Sequence, residues 1–456
     1  MAQLMNWPWR AWAEQAPERT ALLDGARAVS WRALSDEITR RAAGFAFQGV
    51  RPSDTVAVRG KNSTDVLLTY LAVLQCGARV LPLNPQLPAS LLTELLPDLN
   101  VTHGYCTEVG YAWPVPLTLL SAQADGAAEL PEWRAERLAT LTLTSGSSGM
   151  PKAAAHSFHA HLSSARGVLA MMTFTAEDTW LLSLPLFHVS GQGIIWRWLL
   201  AGGVLALRDM HPLDEALRGC THASLVPTQL WRLLGHSGDA LSLKAVLLGG
   251  AMIPVDLVEQ AEARGIRCWC GYGLTEMAST VCAKRADALP GVGLPLPGRE
   301  MKLVNGEIFL RGENMASGYW RDGHLIPISD SDGWFATRDR GVMEAGELRI
   351  VGRMDNLFFS GGEGIQPEDI ERVLMQHPQV TQVFVVPVAD EEFGQRPVAV
   401  VEGDVEVGEL AGWLSGRVAR FQMPVRWFVL PEVLKGGGIK VSRRLVREWV
   451  KGECED

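Results

Sequence analysis

The sequence is poor in the features that mark export, membrane insertion or nucleic-acid binding. Its opening, MAQLMNWPWRAWAEQ, has no apolar signal core. Its longest apolar stretch, residues 191–207, is broken by Arg197 and by Gly202-Gly203, too short and too interrupted for a bilayer. The net charge is -9 and no basic block occurs, which argues against nucleic acid as a partner. The seven cysteines are odd in number and scattered, as suits a reducing compartment. Cys268 and Cys270 flank Trp269, but no second pair follows at zinc spacing, so they read as strand positions. There is no internal repeat and no low-complexity tract. These absences point to a cytoplasmic protein without membrane insertion.

What is present is a globular composition, 47% hydrophobic and 20% charged, over 456 residues. That length exceeds one ordinary core, so at least two domains are expected. Apolar residues at Trp31, Leu34, Ile38, Ala42 and Phe45 predict a helix over 31–47, with Ser30 as N-cap. Strands are expected at 55–58, 78–83, 141–144, 179–184, 203–207, 222–226, 244–248 and 266–270. Helices alternate with them at 65–75, 157–171, 192–200, 228–235 and 255–264, the pattern of parallel α/β sheets. After Gly291 short strands among Gly and Asp turns predict a small β subdomain. A break near Gly352–Asp355 then leaves about one hundred residues of α+β, a domain's worth.

The chemistry starts at residues 141–153, LTLTSGSSGMPKA. A short strand runs into Ser145-Gly146-Ser147-Ser148-Gly149, whose small residues free the backbone to form an anion-binding nest. Three hydroxyls and Lys152 add donors and charge. A flexible Gly/Ser loop is the plain alternative. A Walker loop does not fit, because Ala153 follows Lys152. A nucleophile elbow fails because Ser145 stands where its first glycine belongs, which leaves a serine hydrolase as a rival.

Residues 268–276, CWCGYGLTE, take a strand to Gly271. Tyr272 offers a flat ring, Gly273 room for a ligand, Thr275 a hydroxyl and Glu276 a carboxylate. A carboxylate beside a phosphate loop calls for a cation, and Mg2+ is the ordinary mediator. His188 follows an apolar strand end in LPLFHVSGQG, with no evident local partner. Thr337-Arg338-Asp339 sit in a turn-rich region. Arg353 and Asp355 flank the domain break, and LKGGGIKVSRRL carries Lys440 after three glycines.

TSGSSGMPK, GYGLTE, GRMD followed by SGGEGIQPEDIE, and GIKVSRR occur together in the order and spacing of one family. The chain resembles the adenylate-forming acyl-CoA synthetases over almost its whole length, and GARVLPLNPQLP (77–88) adds to the likeness. The resemblance implies an N-terminal domain, 1–354, of two α/β subdomains plus a β subdomain, and a mobile C-terminal domain, 355–456. It implies an active site between them. The reaction implied has two halves: a carboxylate attacks the α-phosphorus of ATP, and the thiol of CoA then displaces AMP.

It also implies roles. Thr144, Ser145, Gly146, Ser147, Ser148, Gly149 and Lys152 would hold the β- and γ-phosphates, with Gly249 and Gly250 also on the nucleotide. Tyr272 would pack on adenine, Thr275 contact the α-phosphate and Glu276 hold Mg2+. Asp339, assisted by Arg353, would bind the ribose. Asp355 would be the hinge. Lys440 would bridge the reacting carboxylate and the α-phosphate, with Lys435 as its competitor, and His188 would border the acid and the thiol tunnel. Two departures stand out: Arg338 and Ile439 occupy positions where glycine is usual, so the turn at Arg338 is expected to avoid positive φ.

His188 replaces the aspartate that amino-acid-activating relatives use. FHVSGQGIIWRWL and VPTQLWRLL resemble the branch acting on o-succinylbenzoate, an aromatic keto-dicarboxylate of menaquinone biosynthesis. That implies an acid pocket with Arg232 as the cation for the second carboxylate, Thr228 on the same helix, and Ser190 and Gln192 nearby. Another aryl- or acyl-CoA ligase shares every nucleotide motif, and a non-catalytic nucleotide-binding protein stands further off. The oligomeric state is not legible, and a homo-oligomer stays open.

Overall fold

A computed structural model describes residues 6–124, 126–144, 150–235, 242–249, 255–287, 289, 291–435 and 441–455. The chain divides into two compact units: Met1–Met301 with Leu310–Phe335, and Lys302–Phe309 with Ala336–Asp456.

The first unit is built on two large sheets. One has eight strands. Its parallel centre runs Leu138–Leu143, Arg79–Leu83, Thr55–Arg59, Val101–Cys106 and Thr118–Leu119. Ala153–Ser157, Gly318–Arg321 and His324–Ile326 continue it antiparallel. The strands Thr55–Arg59 and Arg79–Leu83 are buried along their whole length, which is why they read as near-continuous apolar runs. The second sheet has nine strands. Its parallel part is Arg267–Leu274, Ala245–Leu248, His222–Leu225, Thr179–Leu181, Val204–Leu207 and Thr20–Asp24. Ser279–Arg285 and Arg27–Ser30 flank it antiparallel.

Helices Trp31–Phe47, Thr64–Gln75 and Phe158–Met171 start alike. Ser30, Ser63 and Ser157 each accept a backbone N–H three residues on, at 3.1–3.2 Å, satisfying a donor the helix itself leaves open. The helix Pro8–Gln15 was not expected. Proline opens it, and Trp9 is buried with its indole N–H donating to Gln75 Oε1 at 2.7 Å.

A four-stranded sheet has the order Arg299–Val304, Glu307–Gly312, Phe335–Glu344, Glu347–Arg353. Another sheet, in the second unit, joins Val380–Asp390, Gly394–Gly403 and Arg426–Val429. Alternation along the latter buries both faces. Val383, Val385 and Ala399 pack with Ile370, Leu374, Leu410 and Leu414, while Phe384, Val386 and Val400 pack with Val446 and Val450.

The expected α/β class and most elements agree with this fold. Among the differences, the strand expected over 179–184 ends at Leu181, and the run expected to stop at Gly271 continues to Leu274, paired with Ser279–Arg285.

Candidate active site

The strand Leu138–Leu143 delivers the chain to the phosphate-loop candidate, and Ala153–Ser157 carries it back antiparallel. Thr144 N–H donates to Lys152 O at 2.8 Å, so the loop is closed at its base by its two outermost candidates. Ser145, Gly146, Ser147, Ser148 and Gly149 lie outside the described residues, as do Gly250 and Lys440. Gly249 ends the strand Ala245–Leu248, its N–H directed at Leu225 O (3.4 Å). The Lys152 side chain is exposed, its ammonium 4.9 Å from the centre of the Tyr319 ring.

Tyr272 and Gly273 lie inside a strand, at a bulge opposite Cys282 and Thr280. A Cβ on Gly273 would sit 1.9 Å from Ser279 O, so this glycine answers to the neighbouring strand rather than to a ligand. Thr275–Met277 then forms one 3-10 turn, held from outside: Ala316 N–H donates to Glu276 O at 2.7 Å, and the Tyr319 hydroxyl donates to Glu276 Oε1 at 2.6 Å. Below the turn lies His156, fully buried. Burial pushes its imidazole down to about 4, against the upward pull of the Thr275 and Glu276 carbonyls. Neither His156 nor Tyr319 belongs to a recognisable motif, and sequence reasoning passed over both.

Among the described residues no group of three or more His, Cys, Asp or Glu forms a ready metal cage. A lone, half-buried carboxylate suits Mg2+, which takes one or two protein carboxylates and completes its shell with phosphate oxygens and water.

In the second unit, Asp339 and Arg353 face each other across the hairpin Phe335–Glu344/Glu347–Arg353, joined at 2.9 Å. The expected turn around 337–339 is therefore strand. Arg353 also reaches Asp355 Oδ2 at 3.2 Å, and Arg338 reaches Asp355 Oδ1 at 3.0 Å. Burial raises the Asp355 carboxyl, but the Arg338 and Arg353 guanidiniums outweigh it and hold the group below its usual range. The expectation that Arg338 avoids positive φ is overturned, for its φ is 63°. Its N–H donates to Glu307 Oε1 at 3.0 Å, and this bond and the Asp355 pair offset the left-handed strain. Lys435, the competitor of Lys440, is engaged by Glu432 (2.6 Å) and Glu402 (3.3 Å).

The acid-side candidates cluster on the helix Val189–Ala201. His188 is its exposed N-cap residue, and Ser190 is half-buried in the first turn. Gln192 is fully buried, its amide donating to Thr142 Oγ1 (3.1 Å) and Leu186 O (3.2 Å), so it ties this helix to the strand that feeds the phosphate loop. On the helix Pro227–Gly235, Thr228 is half-buried and Arg232 is exposed.

The helix Val189–Ala201 also carries a buried cation, Arg197, 2% exposed. Its guanidinium lies 4.6 Å from the Trp180 ring centre and donates to Ser224 Oγ at 3.3 Å, while Nε has no partner. Burial pushes it down to about 9, with no carboxylate pulling the other way. Gly193 opens space beside it: a Cβ there would lie 3.3 Å from Arg197 Nη1 and 3.4 Å from Ser279 Oγ. A buried guanidinium with an unused donor is costly unless an anion completes it.

A Gly/Ser-rich run between two paired strands, a strand-bound aromatic, a half-buried carboxylate and a carboxylate–arginine pair are the residue types expected of a nucleotide-activating enzyme. The chain belongs to the AMP-binding enzyme family, whose model matches residues 9–320, and the family's C-terminal domain model matches residues 369–437. Within it, the chain is 57% identical to a 2-succinylbenzoate–CoA ligase of Salmonella typhimurium, over 99% of both chains. It is 43% identical to the ligase of that name from Haemophilus influenzae, over 92% of this chain and 93% of the other. Among solved structures, an arginine-to-lysine variant of Escherichia coli MenE with bound OSB-AMS matches at 56% identity and a TM-score of 0.95, covering 99% and 100% of the two chains. O-succinylbenzoate coenzyme A synthetase from Bacillus subtilis, in complex with ATP and magnesium, matches at 27% identity and a TM-score of 0.85, over 93% and 96%.

Proposed function

We propose that the chain is an ATP-dependent ligase that activates o-succinylbenzoate as its acyl-adenylate and passes it to CoA, as a step in making menaquinone. The observation that carries this reading is the 57% identity to ligases of that name along 99% of the chain. Arg197 supports the choice of acid. An aliphatic or plain aromatic acid leaves this guanidinium buried with an unused donor, whereas a second carboxylate supplies its missing partner.

In the first half-reaction one carboxylate oxygen of the acid bonds to the α-phosphorus and the bond to pyrophosphate breaks. No base is needed, because the acid is already ionised. Negative charge builds on the phosphorus oxygens and must be met by groups already in place. Thr275 and Lys440 are the protein donors in this reading, and the loop Thr144–Lys152 holds the departing phosphates. Tyr272 packs on adenine, and Asp339, steadied by Arg353, takes the ribose hydroxyls. Glu276 would hold Mg2+, which neutralises phosphate charge when bound. In the second half-reaction the sulfur of CoA bonds to the acyl carbon and AMP leaves, with His188 beside the thiol path. The residues from 355 onward swivel about Asp355 between the two steps. The cytoplasm, where ATP and CoA are available, fits the odd number and scatter of the seven cysteines.

Pyrophosphate release across a panel of carboxylic acids tests the reading. Turnover should be highest with o-succinylbenzoate and fall sharply with an analogue lacking its second carboxylate. Equal use of the two acids would overturn the substrate assignment and leave the ligase class standing.

A further inference from the structure

The Thr275–Met277 turn and the strand after Lys152 are joined by the segment 316–319. Ala316 N–H donates to Glu276 O at 2.7 Å, and Ser317 N–H donates to Ala155 O at 2.8 Å. Tyr319 stands opposite Ala154 in the antiparallel pairing of Gly318–Arg321 with Ala153–Ser157. From that anchored backbone its side chain meets two charges. The hydroxyl donates to Glu276 Oε1 at 2.6 Å, and the Lys152 ammonium lies 4.9 Å from the ring centre.

Glu276 and Lys152 carry opposite charges and serve the same nucleotide in the reading above. Paired with each other, they would neutralise the two charges a metal-bound triphosphate needs. Tyr319 gives each another partner. A phenol bonded to one carboxylate oxygen stops rotation of the group and leaves Oε2 to face a cation. The ring face attracts the ammonium without removing its charge. We propose that Tyr319 is a positioning residue that holds the metal-facing carboxylate and the phosphate-facing lysine in register and apart. The proposal rests on the nucleotide reading.

Calorimetric binding of a non-hydrolysable ATP analogue to the full chain, with and without Mg2+, tests it. Tyr319→Phe keeps the ring and loses the hydroxyl. It should lose about three- to tenfold of the Mg2+-dependent gain in affinity, only part of the worth of one charge-assisted bond because the carboxylate itself stays, with metal-free binding unchanged within about twofold. Tyr319→Leu also loses the ring face and should weaken metal-free binding by about threefold more. A merely structural tyrosine would lower both affinities alike. A Tyr319→Phe protein with the full Mg2+ gain overturns the proposal, and this variant decides by itself if Tyr319→Leu does not fold. Equal metal-free affinities for a folded Tyr319→Leu and Tyr319→Phe overturn the restraint on Lys152. An unaltered chain that shows no Mg2+ gain overturns the nucleotide reading instead, before any variant is needed.

Discussion

The turn Thr275–Met277 and the helix Val189–Ala201 belong to the same compact unit, yet they serve their ligands in different ways. The turn is short, partly exposed and tied down by a backbone bond from Ala316 and by the Tyr319 hydroxyl, and its working groups sit in one contiguous string. The helix is buried from Gly191 to Leu199, and its one charge, Arg197, is hidden among apolar residues. Phosphate recognition uses backbone N–H groups and small residues, which leaves a compact signature in sequence. The proposed recognition of a second carboxylate rests on one long side chain inside a packed core, and nothing local announces it.

The largest test falls on a residue of the motif kind. Lys440→Ala should slow acyl-AMP formation by about two to three powers of ten, because an ammonium aimed at developing charge is lost. Thioester formation from synthetic acyl-AMP and CoA should persist near its normal rate. Single-turnover assays of each half-reaction separate the two. Equal losses would mean that Lys440 serves both steps, and that a motif is a poorer guide to role than the comparison holds.

Next comes the support beneath the turn. His156 titrates near 6.5 when unfolded and at about 4 in the fold, so between those values the unfolded chain binds more protons. Stability should therefore rise from pH 4 to pH 6.5 and be lost as pH falls through that window, by up to about 3 kcal/mol from this group. His156→Leu should flatten that part of the profile in urea unfolding at a series of pH values. Burial also drives His161 down, so a residual slope is expected. An unchanged slope in His156→Leu would place the acid sensitivity elsewhere.

The acid helix gives the third test. Arg197→Met should raise the KM for o-succinylbenzoate by about ten- to a hundredfold, the loss of a charge-assisted contact, with the KM for ATP nearly unchanged. The same change removes a buried, incompletely partnered charge, so the ligand-free protein should melt at a higher temperature. Arg232→Ala, at an exposed position, should change either quantity by less than about twofold. A large KM effect at Arg232 with none at Arg197 would restore the surface arginine as the acid's partner.

These contrasts show what was legible. Strand–helix alternation announced the sheets because strands such as Thr55–Arg59 are buried on both faces. The strand Ala153–Ser157 was missed because three alanines carry no strand preference, and its place is set by pairing on both sides. Gly273 was read as ligand-facing because close approach of a neighbouring strand and of a ligand demand the same residue. The resemblance named Asp339 and Arg353 together, but that they stand directly opposite each other follows only from the hairpin register. Arg197 was read as an interruption of an apolar run, and Tyr319 was passed over, since burial and a hydroxyl's aim depend on the whole fold.

The smallest effect concerns Arg338, where a sequence expectation and the backbone disagree. A non-glycine residue at a φ of 63° carries strain. Glycine there would relieve about 1 kcal/mol of it but lose the ion pair to Asp355, which at such an exposed position is worth about 0–1 kcal/mol. Glycine also gives the unfolded chain more freedom, by about 0.5–1 kcal/mol. The contributions oppose one another, so Arg338→Gly should leave the melting temperature nearly unchanged. Arg338→Ala loses the same ion pair and keeps the strained backbone. Any excess in its loss over that of Arg338→Gly reports the strain, less the entropy difference between the two residues. In both variants Asp355 keeps Arg353 but loses Arg338, so its carboxyl should titrate higher than in the unaltered chain, measurable by NMR. Asp339 keeps its cross-strand partner Arg353, so the KM for ATP should not move. If ATP binding does weaken in Arg338→Gly, the ribose carboxylate and the Asp355 pair are one coupled network, and local strings of residues no longer account for the nucleotide side.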